Sequence, residues 1–223
     1  MPQRVRVGEA DLTPLVDRAR RLATGPRRML GITGAPAAGK STVAAAVAGA
    51  LGAVLVPMDG FHLAEAELHR LDRHERKGAI DTFDAAGFVA MLRRLRDPGP
   101  DTVYAPRFDR GLEESVAGAI PVGPDVPLVV TEGNYLLAGT GPWTGIRALL
   151  DEVWYLELDE AVRLERLTAR HISYGRPPAV AAARARGTDQ RNAELIATTR
   201  HRADLVVTLT PEPPDQPCGV SPS

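Results

Sequence analysis

A three-layer α/β/α protein is predicted, built on a five-stranded, mostly parallel sheet, and three observations predict it. Short apolar runs recur at residues 29–33, 53–58, 127–131, 153–158 and 205–209. Segments with apolar residues at helical spacing separate them, the alternation that builds a parallel sheet covered on both faces. Between the first run and the helix after it stands Gly34-Ala35-Pro36-Ala37-Ala38-Gly39-Lys40-Ser41. That stretch fills every required position of G-x-x-x-x-G-K-[ST], the phosphate-binding P-loop. The expected class is therefore an α/β P-loop NTPase fold with a small lid.

In chain order, residues 1–25 hold a leading helix, with Leu12, Leu15, Val16, Ala19 and Leu22 on one face and Thr24-Gly25-Pro26 as its stop. Residues 26–210 form the main domain. Its first strand ends in the P-loop, and residues 42–51 are the helix that follows. The second strand ends in Asp59-Gly60-Phe61-His62. In open α/β sheets the ligand crevice lies beyond the carboxyl ends of the strands, so Asp59 falls on the same edge as the P-loop. Residues 64–76 read as a charged helix, and Asp84 as the cap of a helix running to about Arg96 with Phe88, Met91, Leu92 and Leu95 on one face. Asp97-Pro98-Gly99-Pro100 ends it. Residues 102–110 read as an extended loop facing substrate, and 116–122 as a short strand pairing nearby.

The third strand terminates in Glu132-Gly133-Asn134-Tyr135 and the fourth passes through Asp159 into a helix from Glu160 to His171. Arg163, Arg166 and Arg170 are spaced three and four apart on that helix, close to one face. A solvated basic face accounts for Arg163 and Arg166, whereas Arg170-His171 stands where a lid over phosphates would begin, at about residues 170–190. Residues 176–188, rich in arginine, alanine and proline, are expected to be mobile. A helix at 189–201 and the fifth strand close the domain, and 211–223, rich in proline, is expected to be a disordered tail.

Bulk properties agree with an ordinary enzyme-sized domain. The chain has 223 residues, 44% hydrophobic and 25% charged, with net charge −1. No basic footprint for nucleic acid or anionic membrane is present. Cys218 alone excludes a disulfide framework. No apolar run has the length of a membrane span, and the first residues lack the apolar core of a signal peptide, so a cytoplasmic location is expected. A homodimer is left open.

The P-loop carries the chemistry. Its glycines let backbone N–H groups close around phosphate oxygens at the positive end of a helix. Lys40 is placed to reach the β- and γ-phosphates of ATP, and the Ser41 hydroxyl to hold Mg²⁺. Thr42 extends this nucleotide-binding set into the helix. Lysine occurs only at positions 40 and 77, arginine supplying all other cationic side chains, and a compact ammonium stands in the one slot that calls for it. An apolar strand ending in Glu132 supplies the acidic partner that the metal of a P-loop requires.

With these motifs in place, the chain resembles the phosphoribulokinase/uridine kinase/pantothenate kinase family, over nearly the whole core from Met29 to about Leu209. Arg76-Lys77-Gly78, Asp81-Thr82-Phe83-Asp84, Val103-Tyr104-Ala105-Pro106, Phe108-Asp109-Arg110, and Asp189 with Asn192-Ala193 match a branch loosely named nucleoside/nucleotide kinase, pantothenate-kinase-like or fructose-transport kinase. The resemblance implies transfer of the ATP γ-phosphoryl group to a hydroxyl of a small metabolite. It implies Asp59 as the acid that takes or orients the hydroxyl proton, Glu132 as a metal partner, and Arg170 as a cation closing on the phosphates. Phe61, His62, Lys77, Tyr104, Arg107, Arg110, Tyr135 and Asn192 are the candidates for the acceptor pocket. His62 is equally readable as a structural histidine, Asn192 as a helix-face residue, and Arg107 and Arg110 as partners of Asp109, Glu113 or Glu114.

Rival classes lack their marks. A regulatory GTPase needs Asn-Lys-x-Asp, which lysines at 40 and 77 cannot supply, and a transport ATPase would carry Leu-Ser-Gly-Gly-Gln. The alternative that remains is a nucleotide-binding sensor without kinase activity.

Overall fold

The computed structural model describes residues 1–97 and 99–211. Pro98, Cys218 and the rest of the expected tail, residues 212–223, lie outside the described residues. The chain opens with strand β1 (Gln3–Gly8) and helix α1 (Thr13–Leu22). Strand β2 (Arg28–Gly34) leads through the P-loop into α2 (Lys40–Leu51). There follow β3 (Val54–Leu55), a 3₁₀ turn at Met58–Phe61, α3 (Glu65–Arg70), a second 3₁₀ turn at His74–Arg76, and α4 (Ala85–Arg96). Strands β4 (Val103–Asp109) and β5 (Glu114–Val122) form a separate antiparallel hairpin. Then come β6 (Leu128–Glu132), β7 (Glu152–Glu157), α5 (Glu160–Ser173), α6 (Pro178–Arg186), α7 (Thr188–Ala197) and β8 (Leu205–Thr210).

The main sheet has the order β1-β8-β7-β2-β6-β3, and every neighbouring pair is parallel. Alternate residues face opposite layers, so each inner strand feeds two cores. Leu30 and Ile32 of β2, Val130 of β6, Trp154 and Leu156 of β7 and Val207 of β8 meet α1 and α2 through Leu15, Val43 and Val47. Met29, Val129, Val153 and Val206 point the other way, onto Phe88 and Leu92 of α4, Tyr135 and Trp143. Asp84 caps α4 as its sequence suggests, accepting from the Gly87 N–H at 2.8 Å.

Four expectations change. The sheet has six strands, not five: β1 carries no strand signal in the sequence because Gln3-Arg4-Val5-Arg6 is exposed and only Val7 is buried. Its strand state comes from ladder bonds to β8, Gln3 opposite Leu205 through Gly8 opposite Thr210, and an edge strand with arginines carries little hydrophobic signal. Residues 103–109 of the expected 102–110 loop are a strand. The helix expected over 64–76 breaks after Arg70, where Asp72 adopts φ 54°. The stretch expected to be mobile holds α6, whose Ala181 and Ala185 are fully buried where α6 packs against α5 and α7. Among the described residues no helix is long and apolar enough to cross a membrane.

Candidate active site

The P-loop joins β2 to α2, and its backbone takes up the left-handed conformations that a phosphate nest uses. Gly39, the residue before α2, has φ 89° and Ala37 has φ 65°. A non-glycine residue there costs on the order of 1–2 kcal/mol, strain of a kind that gathers at functional sites. The Lys40 side chain folds back over the loop, donating to the carbonyls of Gly34 and Ala35 at 2.9 Å each. Burial pushes its pKa down to about 8, against the pull of Glu132 and Asp59, while Arg170 and Arg163 press in the same direction as burial.

Sheet order assembles the acidic side of the site. Glu132 ends β6 directly beside Ile32 of β2, and β3 lies on the far side of β6. The Ser41 hydroxyl donates to Glu132 Oε1 at 3.1 Å. Asp59 follows β3 in the Met58–Phe61 turn and takes a contact from Arg110 Nη2 at 3.3 Å. Burial raises the Glu132 pKa, and the nearby Asp59 charge raises it further, against Lys40 and the Ser41 hydroxyl. A buried carboxylate facing a second carboxylate and a hydroxyl fits a hard divalent cation with oxygen ligands.

A cavity of about 810 Å³ opens beside Asp59, bordered by Pro36 of the P-loop and by Arg170. Of the acceptor-pocket candidates it takes in His62, Lys77, Arg110 and Asn192. Lys77 Nζ pairs with Glu65, donates to the Glu113 carbonyl at 2.8 Å, and lies 5.0 Å above the Phe108 ring. Arg110 stacks over Phe108 and, at 5.4 Å, over Tyr174 at the end of α5. His62 is held from both sides: Nδ1 donates to the Asp59 carbonyl at 2.9 Å, and the ring lies 4.0 Å from that of Phe83. Burial lowers its pKa and favours the neutral ring.

The other four candidates lie elsewhere. Phe61 is core, packed on Phe88 with ring centres 5.0 Å apart. Tyr135 is 1% exposed, and its hydroxyl donates to the Gly78 carbonyl at 2.8 Å, a carbonyl that Asn192 Nδ2 also reaches at 3.3 Å. Tyr135 therefore acts on the backbone beside Lys77, and Asn192 combines that contact with a place on the cavity wall. Tyr104 and Arg107 point outward from the hairpin and are exposed. The bulge between Ala105 and Arg107 shifts the register of β4, so sequence alternation does not predict which side each residue faces.

Of the two α5 arginines expected on a solvated face, Arg163 is buried and Arg166 is only partly exposed. Arg163 is 5% exposed, bound to Gln190 Oε1 at 2.5 Å through Nη2, and among the described residues its buried Nη1 has no partner. Arg166 makes a bidentate pair with Glu9. Arg170 stays exposed, and among the described residues it forms no ion pair. His171 joins α5 to α7. Its Nδ1 accepts from Arg176 at 2.8 Å, which leaves Nε2 to donate to Asp189 at 2.7 Å. Arg184 of α6 donates to the Glu75 and Lys77 carbonyls. Arg176, Arg184 and Asp189 all border the cavity. Their roles depend on partners distant in sequence, and no local signal marks Arg176 or Arg184.

No protein-family model matches the chain. Individual relatives do. The chain is 36% identical over 152 residues to the ATP-dependent kinase-like protein notR' of Aspergillus versicolor, covering 64% of this chain and 88% of that one. It is 35% identical over 160 residues to a protein of Schizosaccharomyces pombe provisionally named uridine kinase C227.14, covering 67% and 68%. Among solved structures, a protein of Silicibacter sp. TM1040 provisionally named a fructose transport system kinase superposes with a TM-score of 0.80 at 36% identity, over 88% of this chain and 98% of that one. The chain belongs to the P-loop kinase family of phosphoribulokinase, uridine kinase and pantothenate kinase.

Proposed function

We propose that this P-loop kinase transfers the γ-phosphoryl group of ATP to a hydroxyl of a small polar metabolite. One observation carries the reading. Asp59, braced by Arg110, faces the cavity that Pro36 of the P-loop and Arg170 also border, so a proton acceptor and a phosphate cradle share one chamber. In the reaction the acceptor oxygen bonds to the γ-phosphorus as the bond from that phosphorus to the bridging oxygen breaks. ADP leaves, and the hydroxyl proton passes to Asp59. Lys40 lies at the head of α2 to meet the β- and γ-phosphates. Ser41 and Glu132 would hold Mg²⁺, whose charge would offset that of the phosphates. Arg170, exposed at the cavity edge and without an ion partner among the described residues, is free to neutralise the transferring group. The end of α5 with α6 serves as the lid, tied to the 75–77 segment through Arg184.

The lining mixes cations and carboxylates, Lys77, Arg110 and Arg184 with Glu65 and Asp189. Such a surface suits a hydroxyl-rich or anionic acceptor, since arginine binds carboxylate and phosphate in bidentate fashion. The test is ADP release with Mg-ATP across sugars, nucleosides, pantothenate and their phosphates. One acceptor raising turnover well above background supports the proposal. Tight ATP binding with a flat response across the panel would favour the sensor.

Proton linkage provides a second check. Lys40 loses its proton through about pH 8 in the free protein, and a bound phosphate raises its pKa. Nucleotide binding near pH 8 is therefore expected to take up protons, and affinity to fall as pH rises above 8. Calorimetry in buffers of different ionisation enthalpy reads this directly. Binding with no proton uptake near pH 8 would overturn this linkage.

A further inference from the structure

A second cavity, of about 180 Å³, adjoins the P-loop and shares no lining residue with the larger one. Gly39, Thr42 and Val43 line it from the start of α2, and Leu12 and Leu209 supply apolar surface. Whole-ligand pockets are roughly 300–1,000 Å³, so this one admits a single ring system and not a complete nucleotide. Its position follows from the order of the phosphates. The γ end must face Asp59, and Lys40 and Ser41 stand at the β–γ junction. The remainder of the nucleotide then leaves past Thr42, toward this second cavity.

Its charged lining consists of Glu9 and Arg166, joined through two hydrogen bonds of 2.5 and 2.6 Å, and Thr42 adds a hydroxyl-bearing side chain. Glu9 is delivered by the N-terminal strand. In the ladder Val7 stands opposite Leu209 and Gly8 opposite Thr210, and the Glu9 N–H donates to the Thr210 carbonyl at 3.1 Å. A Cβ added at Gly39 would lie 4.0 Å from Glu9 Oε1, which shows how close this carboxylate comes to the P-loop. An ionised carboxylate only accepts hydrogen bonds, and each oxygen keeps a lone pair after meeting Arg166. A guanidinium also stacks well on a flat π-system.

Resting on the kinase reading above, we propose that Glu9 selects the base of the nucleotide: it accepts a hydrogen bond from the exocyclic amino group of adenine, while Arg166 holds the carboxylate and covers the ring. The β1 segment is then part of the nucleotide site as well as an edge of the sheet. Inosine triphosphate is the discriminating probe, because it presents a carbonyl oxygen where adenine presents the amino group. That oxygen would face the carboxylate unfavourably.

The experiment is calorimetric binding of Mg-ATP and Mg-ITP to the full chain and to Glu9→Ala and Glu9→Gln, with no acceptor present. The natural chain is expected to prefer ATP by about tenfold, the worth of one charge-assisted hydrogen bond. Glu9→Ala is expected to lose that factor for ATP and to bind ITP as well as before or better. Glu9→Gln, close in shape and able to donate to the ITP oxygen, is expected to narrow the ratio mainly by gaining ITP affinity. It carries the test alone if Glu9→Ala does not fold. Equal losses for both nucleotides, or an unchanged ratio in either variant, would overturn the proposal and leave Glu9 as a brace for Arg166. A natural chain that binds ATP and ITP equally overturns this inference alone. One that binds neither overturns the kinase reading with it.

Discussion

Asp59→Asn is expected to lower kcat by about 10²- to 10⁴-fold, the range typical of losing a positioned general base. Binding of Mg-ATP should stay within a few-fold of the original. Asparagine keeps the size of the side chain and an oxygen for Arg110 Nη2, which lies 3.3 Å from the carboxylate, but it cannot take the hydroxyl proton. Glu132 should not suffer, because the Asp59 charge raises its pKa and removing that charge lets it ionise more readily. Steady-state rates with the acceptor found by the ADP screen, beside calorimetric ATP binding, separate the two effects. Undiminished turnover would leave Asp59 only an orienting role or none.

Gly60→Ala should damage both stability and rate, although the residue does no chemistry. A Cβ at this position would fall 2.4 Å from the Pro106 carbonyl oxygen and 2.8 Å from its carbon, both backbone atoms of β4. No rotamer change can relieve such a contact. Either the turn carrying Asp59 or the hairpin carrying Arg110 must move. Overpacking of this kind costs about 1–3 kcal/mol, and each kcal/mol lowers the Tm of a chain this size by roughly 2–4 °C. A displacement of Asp59 by about 1 Å would cost on the order of 10²-fold in kcat/KM. Gly49→Ala, where an added Cβ meets nothing within 4 Å, is the matched control and should leave kcat unchanged. Native melting temperature and rate in Gly60→Ala would show that the turn and hairpin are not held in contact.

Legibility along the chain follows the range of the interactions involved. The P-loop was readable because its conformation depends on its own glycines, its lysine and the helix that follows at once. The Asp84 cap was readable for the same reason, its partner Gly87 lying three residues away. Inner strands announced themselves as apolar runs because both their faces are buried. β1 did not, since its strand state depends on ladder bonds to β8, at the opposite end of the domain's sequence. The α5 arginines look alike in sequence, three cations near one face of one helix. Their environments diverge because Arg163 meets Gln190, Arg166 meets Glu9, and Arg170 meets the open cavity.

From the chain alone, then, came the α/β class, the P-loop, and two acids on one edge of the sheet, Glu132 at the end of β6 and Asp59 in the turn that follows β3. Local backbone geometry and hydrophobic burial suffice for these, and both are written in short windows of sequence. Tertiary structure decided which acceptor-pocket candidates share the cavity, since Tyr104 and Arg107, on either side of the β4 bulge, are both exposed while the core takes Phe61 and Tyr135. It also decided that the N-terminal strand delivers Glu9 beside Gly39 and Thr42. The physical reason is the same in both cases. A side chain's role here is set by the atoms that desolvate it and pair with it, and those atoms arrive from strands and helices that only folding brings together.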